Sequence, residues 1–494
     1  MAQDVNLDEH KYHQAKQWEI ALFSLNNSAS NLYLLAFGFL AYYATGPVGL
    51  TTVVIGNVLG GTRLFDGLID PAIGIIMDKI DTKWGRFRPI MLISNLALIL
   101  SFLILFNTHQ FDGGTKIAVL ALALIFHKIA YSFQQTVTKA AQPALTNDPK
   151  QRPMFSIYDT IFSSMGVFAL GQFIISNVLA PRHGNEFNLP FFRELLFIVC
   201  SVSLVLTFLA MIGIRRKDNI EYFGLGEDTV ETKSIKDYWS VIKGNKPLIS
   251  LAVAGGIMKF MAQLIADQAF LVILFGIILG NYALSGQISL IQIAFNLILV
   301  IALTRLATKR DLKTSYTTSI ILSALSIITM GTILYTASNP LDIFSNGLLT
   351  GAQSIIFTIA YVGMRIFSGY PTSIVLTMAA DITDYETARS GRFVSGLIGT
   401  VFSLTDSIAS ALVPIIIGVI IAGAGYTQAY PDASEPLTQS LFNAGLTIAV
   451  VIPLILLATA FILIRIYPLD RQAMEDIQTK IAARRVKGSE DLVD

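Results

Sequence analysis

The sequence has 494 residues, of which 53% are hydrophobic and only 14% are charged, and its mean hydropathy is +0.61. Soluble globular proteins carry about 25% charged residues, so the composition excludes an ordinary soluble protein. The net charge of +1 indicates no nucleic-acid partner, and the single cysteine excludes an intramolecular disulfide.

Apolar stretches long enough to cross a bilayer, about 20 residues each, occupy nearly the whole chain. They predict an all-α membrane protein with twelve transmembrane helices, at residues 19–45, 50–77, 89–108, 116–146, 154–180, 190–214, 248–279, 283–304, 315–337, 346–379, 396–424 and 440–467. Lysine and arginine collect in the loops after spans 2, 4 and 8 and in the tail, and are missing after spans 1, 7, 9 and 11. By the positive-inside rule we expect a multi-pass protein of the plasma (inner) membrane with both termini in the cytoplasm.

The longest hydrophilic interruption divides the predicted helices into six and six. The expected domains are an N-terminal six-helix bundle (1–214), a central cytoplasmic loop (215–247), a C-terminal six-helix bundle (248–467) and a cytoplasmic tail (468–494). This plan resembles the major facilitator fold, in which two pseudo-symmetric six-helix bundles enclose a substrate site.

The second span carries two carboxylates, Asp66 and Asp70, four residues apart. On a helix they share one face, and charges inside a membrane are costly unless they have a function. Two neighbouring carboxylates can bind a hard cation through oxygen, or one of them can hold a proton because like charges raise its pKa. An inert ion pair with Arg63 is the structural alternative.

The loop that follows the second span resembles the signature between the second and third helices of major facilitators. It contains Gly74, Asp78, Arg86 and Arg88 in the run from Gly74 to Pro89. We predict that these residues, together with Asp381 and Asp384 after the tenth span, form a conformational latch at the cytoplasmic helix ends.

Four segments resemble a narrower family, the glycoside–pentoside–hexuronide:cation symporters, which include melibiose permease. They are Asp66-Gly67-Leu68-Ile69-Asp70-Pro71, Lys83-Trp84-Gly85-Arg86-Phe87-Arg88-Pro89, Ala380-Asp381-Ile382-Thr383-Asp384-Tyr385-Glu386 and Asn245-Lys246-Pro247-Leu248. The resemblance implies that Asp66 and Asp70 bind the coupling cation and that Ser132 adds a hydroxyl ligand. Melibiose permease has an amide before its second aspartate, whereas this chain has Ile69, which favours a proton over sodium.

The same resemblance places substrate contacts on spans 1 and 4. Ser30 and Gln135 stand where melibiose permease has sugar-binding carboxylates, and Lys139 replaces its stacking tryptophan. Amides, hydroxyls and aromatic rings can bind a sugar, although single amides also join helices in membranes. The predicted substrate-binding residues are Asn26, Asn27, Ser30, Asn31, Tyr131, Gln134, Gln135, Lys139 and Asp406.

Two of these residues have competing interpretations. Lys139 could bind an acidic sugar such as a uronide, or it could form an ion pair with Asp159, which lies at a similar depth in the next span. Asp406, on span 11, could pair with Lys139 or Arg365, or bind a polar substrate.

The predicted function is secondary active transport by alternating access: symport of a glycoside or oligosaccharide with a cation, H⁺ in preference to Na⁺. A uronide is one option for the substrate, and a carrier of an amphipathic lipid-like solute is the alternative. An intramembrane enzyme or a sensor is the competing class, but the sequence contains no nucleophile–base set or metal motif. We expect a monomer surrounded by membrane lipids, with no cofactor and no bound metal other than a coupling ion.

Overall fold

The computed structural model describes residues 13–64, 69, 73, 76–77, 80, 82–146, 148, 151–219, 243–345, 347–390 and 395–490. These residues form helices and no strands, which confirms the predicted all-α class. In chain order the helices are α1 Gln17–Phe37, α2 Leu40–Thr45, α3 Thr52–Leu64, α4 Phe87–Leu105, α5 Gly113–Ala140, α6 Gln142–Leu145, α7 Arg152–Arg182, α8 Leu189–Ile214, α9 Lys246–Leu264, α10 Gln268–Ile278, α11 Ala283–Lys309, α12 Leu312–Thr336, α13 Ala352–Ser390, α14 Ser395–Gly423, α15 Gln439–Ile466 and α16 Arg471–Glu490.

Nine membrane-crossing candidates, judged by length and apolarity, occur in the described part of the chain, so this is a multi-pass membrane protein. Three predicted spans are not among them. Span 1 is divided into α1 and α2, and span 2 begins as α3 and continues into residues outside the described ranges. Span 10, predicted at 346–379, overlaps the 39-residue α13, which begins at Ala352 and extends to Ser390. The number twelve stays a prediction.

The chain forms two compact units. Unit 1 comprises residues 1–229 with 285–290 and 426–434, and unit 2 comprises 230–284, 291–425 and 435–494. Within unit 1, α1 packs along α8. A Cβ at Gly213 would lie 2.7 Å from the backbone nitrogen of Phe23, so only glycine allows this close approach.

In unit 2, α9 packs against α13, α14 and α15. The helix ends at Leu264, and Arg365 on α13 donates from Nη1 to the carbonyl oxygen of Ile265, 2.8 Å away. Asp267 then begins α10 by accepting from the backbone N–H of Ala269 at 2.9 Å. The break is stabilised because a carbonyl and an N–H that helix termini leave unpaired both find partners.

Candidate functional site

The predicted cation site lies mostly outside the described residues, because Asp66 and Asp70 are not among them. Ser132 is described and lies on α5 with 8% of its surface exposed. Ile69, which stands directly before Asp70 in the sequence, is partly buried and packs against an apolar core of unit 1. The assignment of a coupling site to these residues therefore stays a prediction.

Unit 1 contains a polar cluster formed by four neighbouring helices. Its members share hydrogen bonds across α1, α5, α7 and α8, and they fall into a buried layer and a partly exposed layer. The cluster consists of Asn26, Asn27, Ser28, Ser30, Gln134, Gln135, Thr138, Asp159, Ser163 and Thr207.

The buried layer joins α1 to α5 and α5 to α8. Asn26 and Gln134 are both 0% exposed. The Asn26 amide donates to Thr138 Oγ1 at 2.8 Å, and Gln134 donates to Asn26 Oδ1 and to Thr207 Oγ1, each at 3.2 Å. In this geometry the two amides join neighbouring helices. Their contact with the substrate stays a prediction.

The partly exposed layer centres on a carboxylate. Asp159 accepts from the Asn27 side-chain amide and from Ser163 Oγ, the latter at 2.8 Å. Gln135 donates from Nε2 to Asn27 Oδ1 at 2.8 Å and to Ser30 Oγ at 2.7 Å. The predicted contacts Asn27, Ser30 and Gln135 thus meet at one place, and Asp159 joins them.

The remaining predicted residues of α1 and α5 lie around this layer. Asn31 is 8% exposed, and Tyr131 is partly buried. Lys139 is exposed and makes no hydrogen bond or ion pair within the described parts of the chain. The predicted Lys139–Asp159 pair is therefore not formed in this structure, because hydrogen bonds from Asn27 and Ser163 hold the Asp159 carboxylate on the α1 side of α7.

Unit 2 has its own intramembrane charges. Lys259 Nζ on α9 lies 3.0 Å from Asp406 Oδ1 on α14, with 32% and 49% of the two side chains exposed. One turn further along, Gln263 donates to Ser410 Oγ at 2.9 Å. Asp406 therefore pairs with Lys259 and not with Arg365, because α9 packs directly against α14 and the Arg365 guanidinium is occupied by the end of α9.

The predicted latch is described in part. Gly74 and Asp78 lie outside the described residues, while Arg86 donates from Nε to the Ile80 carbonyl at 3.1 Å. Arg88 Nε lies 3.2 Å from Oδ2 of Asp218, a residue that follows α8 and whose side chain is 0% exposed.

Asp218 also holds the first turn of α4. Its carboxylate accepts from the backbone N–H groups of Arg86, Phe87 and Arg88 at 2.9–3.0 Å. Such a cap neutralises the positive end of a helix dipole. Gly85 adopts a φ of 96°, and a Cβ there would clash with the Asp218 carboxylate, so glycine is required. Sequence reasoning missed Asp218, although an aspartate directly after the basic run Arg215-Arg216-Lys217 at the end of a span is a usable signal.

The two aspartates after the tenth span lie on the last turns of α13. Asp384 accepts from the amide of Gln478 on α16 at 2.8 Å. Burial, and then the neighbouring charge of Asp384, raise the pKa of Asp381 to about 6. Their predicted latch function is not tested by these contacts, which tie the end of α13 to the C-terminal helix.

Comparison with known families decides the class of protein, a membrane transporter and not an enzyme. Residues 23–471 match the family model described as MFS/sugar transport protein, and the chain belongs to that family.

Named relatives agree in length with this chain. It is 23% identical over 476 residues to the glucuronide carrier protein homolog of Escherichia coli strain K12, covering 96% of this chain and 97% of that one. It is 22% identical over 474 residues to the isoprimeverose transporter of Lactiplantibacillus pentosus, covering 93% and 91%. The crystal structure of the nucleoside transporter NupG has the same fold, with a TM-score of 0.59 and 13% identity over 93% of this chain and 98% of that one.

Proposed function

We propose that this transporter carries a glycoside or oligosaccharide together with a cation by alternating access. The family and the names of these relatives support sugar as the cargo, and the similarity to a putative glycoside/cation symporter of Escherichia coli strain K12 supports symport. The observation that carries the proposal is the partly exposed layer of the polar cluster, where amides, a hydroxyl and a carboxylate meet inside a membrane bundle. Such a face matches the hydroxyl groups of a sugar and disfavours a lipid-like solute, because lipid chains offer no hydrogen bonds.

Within the predicted substrate residues, the proposal concentrates on those that a solute can reach. Asn27 and Gln135 are partly exposed, and Ser30, which accepts from Gln135, is 0% exposed behind them. Asn26 and Gln134 are buried in the helix interface. Lys139 is the exposed cation of the same region and would favour an acidic sugar. An uptake comparison of a glucuronide with a neutral glycoside, in wild type and Lys139→Ala, tests this: loss of glucuronide uptake alone supports the contact, and unchanged glucuronide uptake contradicts it.

The proposed coupling site is Asp66 and Asp70, with Ser132 nearby in the family pattern. We favour a proton, because Ile69 supplies no oxygen ligand and a proton needs only a carboxylate. In this mechanism, neutralisation of the pair favours sugar binding, and by linkage the sugar tightens proton binding equally. The proposed location is the plasma (inner) membrane, with cytoplasmic termini and a monomeric carrier.

Uptake into proteoliposomes tests the proposal directly. A panel of neutral and acidic glycosides is offered under an imposed pH gradient and, separately, under a sodium gradient. We expect accumulation of at least one glycoside driven by the pH gradient, and its loss in Asp66→Asn and in Asp70→Asn. Accumulation driven by sodium alone would contradict the proton, and accumulation that survives both substitutions would contradict the coupling site.

A further inference from the structure

We propose that Asp159 is a sugar-binding residue whose free carboxylate oxygen accepts hydrogen bonds from hydroxyl groups of the substrate. This inference rests on the proposed function, since it assigns a part of the sugar to a part of unit 1. It adds a residue to the substrate site and defines the chemistry of the group that the residue binds.

The two oxygens of Asp159 have different surroundings. Oδ1 accepts both available hydrogen bonds, from the Asn27 amide and from Ser163 Oγ. Oδ2 accepts none from any residue that the structure describes, and no cation among them pairs with the carboxylate. An intramembrane carboxylate without a cationic partner is costly, so a free, partly exposed oxygen indicates a ligand that donates hydrogen bonds.

The charge of Asp159 also fixes the orientation of two amides. An ionised carboxylate can only accept, so Asn27 must direct its NH₂ group to Asp159 and its Oδ1 away from it. Gln135 must then direct its own NH₂ group to Asn27 Oδ1 and Ser30. As a result, Gln135 Oε1 has no donor within the described residues and is left as a second free acceptor.

The free groups describe the complementary ligand. Two acceptors, Asp159 Oδ2 and Gln135 Oε1, require donors, and the hydroxyl groups of a pyranose or furanose supply several. Hydrogen bonds to a charged acceptor are roughly twice as strong as those between neutral groups, so the carboxylate gains most from a hydroxyl. A carboxylate group on the substrate would be repelled at this place, so the Asp159 end binds a neutral, hydroxyl-bearing part of the sugar.

The buried layer of the same cluster also contains an acceptor without a donor, Gln134 Oε1, but a solute does not reach it because Gln134 has no exposed surface. There, Asn26 and Gln134 bond one another and two threonines, and neither has any exposed surface. The Asp159 layer differs in its partial exposure and in its charge, and neither is needed to join helices.

The experiment measures binding without a driving force. The wild type is first offered methyl glucoside, methyl galactoside and methyl xyloside, and the best-transported one is used in counterflow with Asp159→Asn, an amide of the same shape. Asp112→Asn, an exposed carboxylate at the start of α5, is the matched control. We expect about a tenfold or greater loss of apparent affinity in Asp159→Asn, since a charged hydrogen bond is lost, and no change in Asp112→Asn.

Monodeoxy analogues of the same sugar identify the hydroxyl. One analogue should bind the wild type more weakly than the parent sugar does. Its affinity should fall no further in Asp159→Asn, because the hydroxyl that Asp159 binds is already missing. If Asp159→Asn does not fold, Asp159→Ser is used in its place. If all analogues bind the wild type with equal affinity, that result contradicts the inference without any variant.

Three results would overturn the inference while the wild type still transports. Unchanged affinity in Asp159→Asn shows no contact, and lost accumulation with unchanged counterflow assigns Asp159 to cation coupling. A lower melting temperature with equal losses for all analogues assigns it to structure. Absence of any wild-type glycoside uptake would contradict the proposed function itself, so the two failures are distinguishable.

Discussion

Units 1 and 2 anchor their helix ends in similar ways but differ in their inner polar groups. In unit 1, Gln14 at the start of α1 donates to Asp148 at 2.6 Å, and in unit 2, Asn245 at the start of α9 donates to Glu386 at 2.9 Å. The start of α4 is held by Asp218, and Lys313 at the start of α12 donates to the Tyr467 carbonyl at 2.6 Å.

Inside the bundles the units diverge. The charge of Asp159 in unit 1 meets only neutral donors within the described chain, so acceptors remain for a ligand. In unit 2, Lys259 and Asp406 neutralise each other. Asp406 lies about 200° around α14 from Leu404, which begins an exposed apolar stripe, so the pair is on the helix face opposite that stripe. The difference indicates that similar helix-end attachments support a ligand-accepting face in one unit and a self-neutralised face in the other.

The largest expected effect concerns the helix-end attachments. Asp218→Ala leaves three backbone N–H groups and Arg88 without their buried partner, which should destabilise the protein by about 3 kcal/mol. Lys313→Ala, the counterpart in unit 2, removes a partly buried donor to a single carbonyl and should cost less, about 1 kcal/mol. Melting of the detergent-solubilised protein, followed by size-exclusion chromatography, measures both. Equal losses would show that the two attachments contribute alike.

The two layers of the polar cluster should separate stability from transport. Asn26→Ala removes buried hydrogen bonds and should cost about 1 to 2 kcal/mol. Asn27→Ala removes a partly exposed amide, should cost less stability, and should reduce glycoside uptake because Gln135 and Asp159 lose their common partner. The measurements are melting temperature and uptake corrected for the amount of folded protein. Normal uptake in Asn27→Ala would contradict a binding role for this layer.

The ion pair of unit 2 should contribute modestly, because both side chains are substantially exposed. A double-mutant cycle with Lys259→Ala, Asp406→Ala and the double variant should give a coupling energy of about 0.5 to 1 kcal/mol. Melting at low and high salt measures it, and salt should reduce the coupling. A coupling that is zero at low salt would show that unit 2 is not self-neutralised in solution.

The smallest expected effect is a pH dependence at Asp381. Its pKa of about 6 lies above the value of about 3.9 expected in the unfolded chain, so deprotonation is disfavoured in the folded protein. Stability is therefore lost as the pH rises from about 4 to 6 and stays lower above that. Asp381→Asn should stabilise the protein more at pH 7.5 than at pH 5, which is measured as a larger rise in melting temperature. The extra free energy of unfolding at pH 7.5 should be less than about 0.5 kcal/mol after solvent screening. Asp476→Asn, at an exposed carboxylate of α16, is the control, and an equal shift of Asp381→Asn at both pH values would contradict the assignment.

Most of the fold follows from the sequence because apolar length and turn chemistry are local properties. Eight of the predicted spans coincide with candidate membrane helices to within a few residues, and the interrupted seventh span begins at Lys246, close to its predicted start at residue 248. The break after Leu264 was not predicted, because an apolar run shows no sign that Arg365 caps the Ile265 carbonyl from another helix.

The sequence predicted where the candidate site residues lie along the helices better than it predicted which residues they contact. By helical spacing, Asn26 and Ser30 share one face of α1, and Asn27 and Asn31 share the next. Their burial depends on which face meets α5, α7 and α8, and that choice made Asn26 part of the interior and Asn27 part of a reachable layer. The sequence left the partners of Asp159 and Asp406 open for the same reason, since ion pairs depend on contacts between helices distant in sequence.

The sequence by itself determined the membrane class, the helical elements and the family, because the length of an apolar run and a short motif are both local features of the chain. Only the tertiary structure decided that Asp218 caps α4, that Lys259 neutralises Asp406 and that Asp159 keeps a free oxygen. Apart from the local bond from Ser163 to Asp159, these outcomes depend on hydrogen bonds and charges between residues more than 100 positions apart, and such distances are set only when the helices pack.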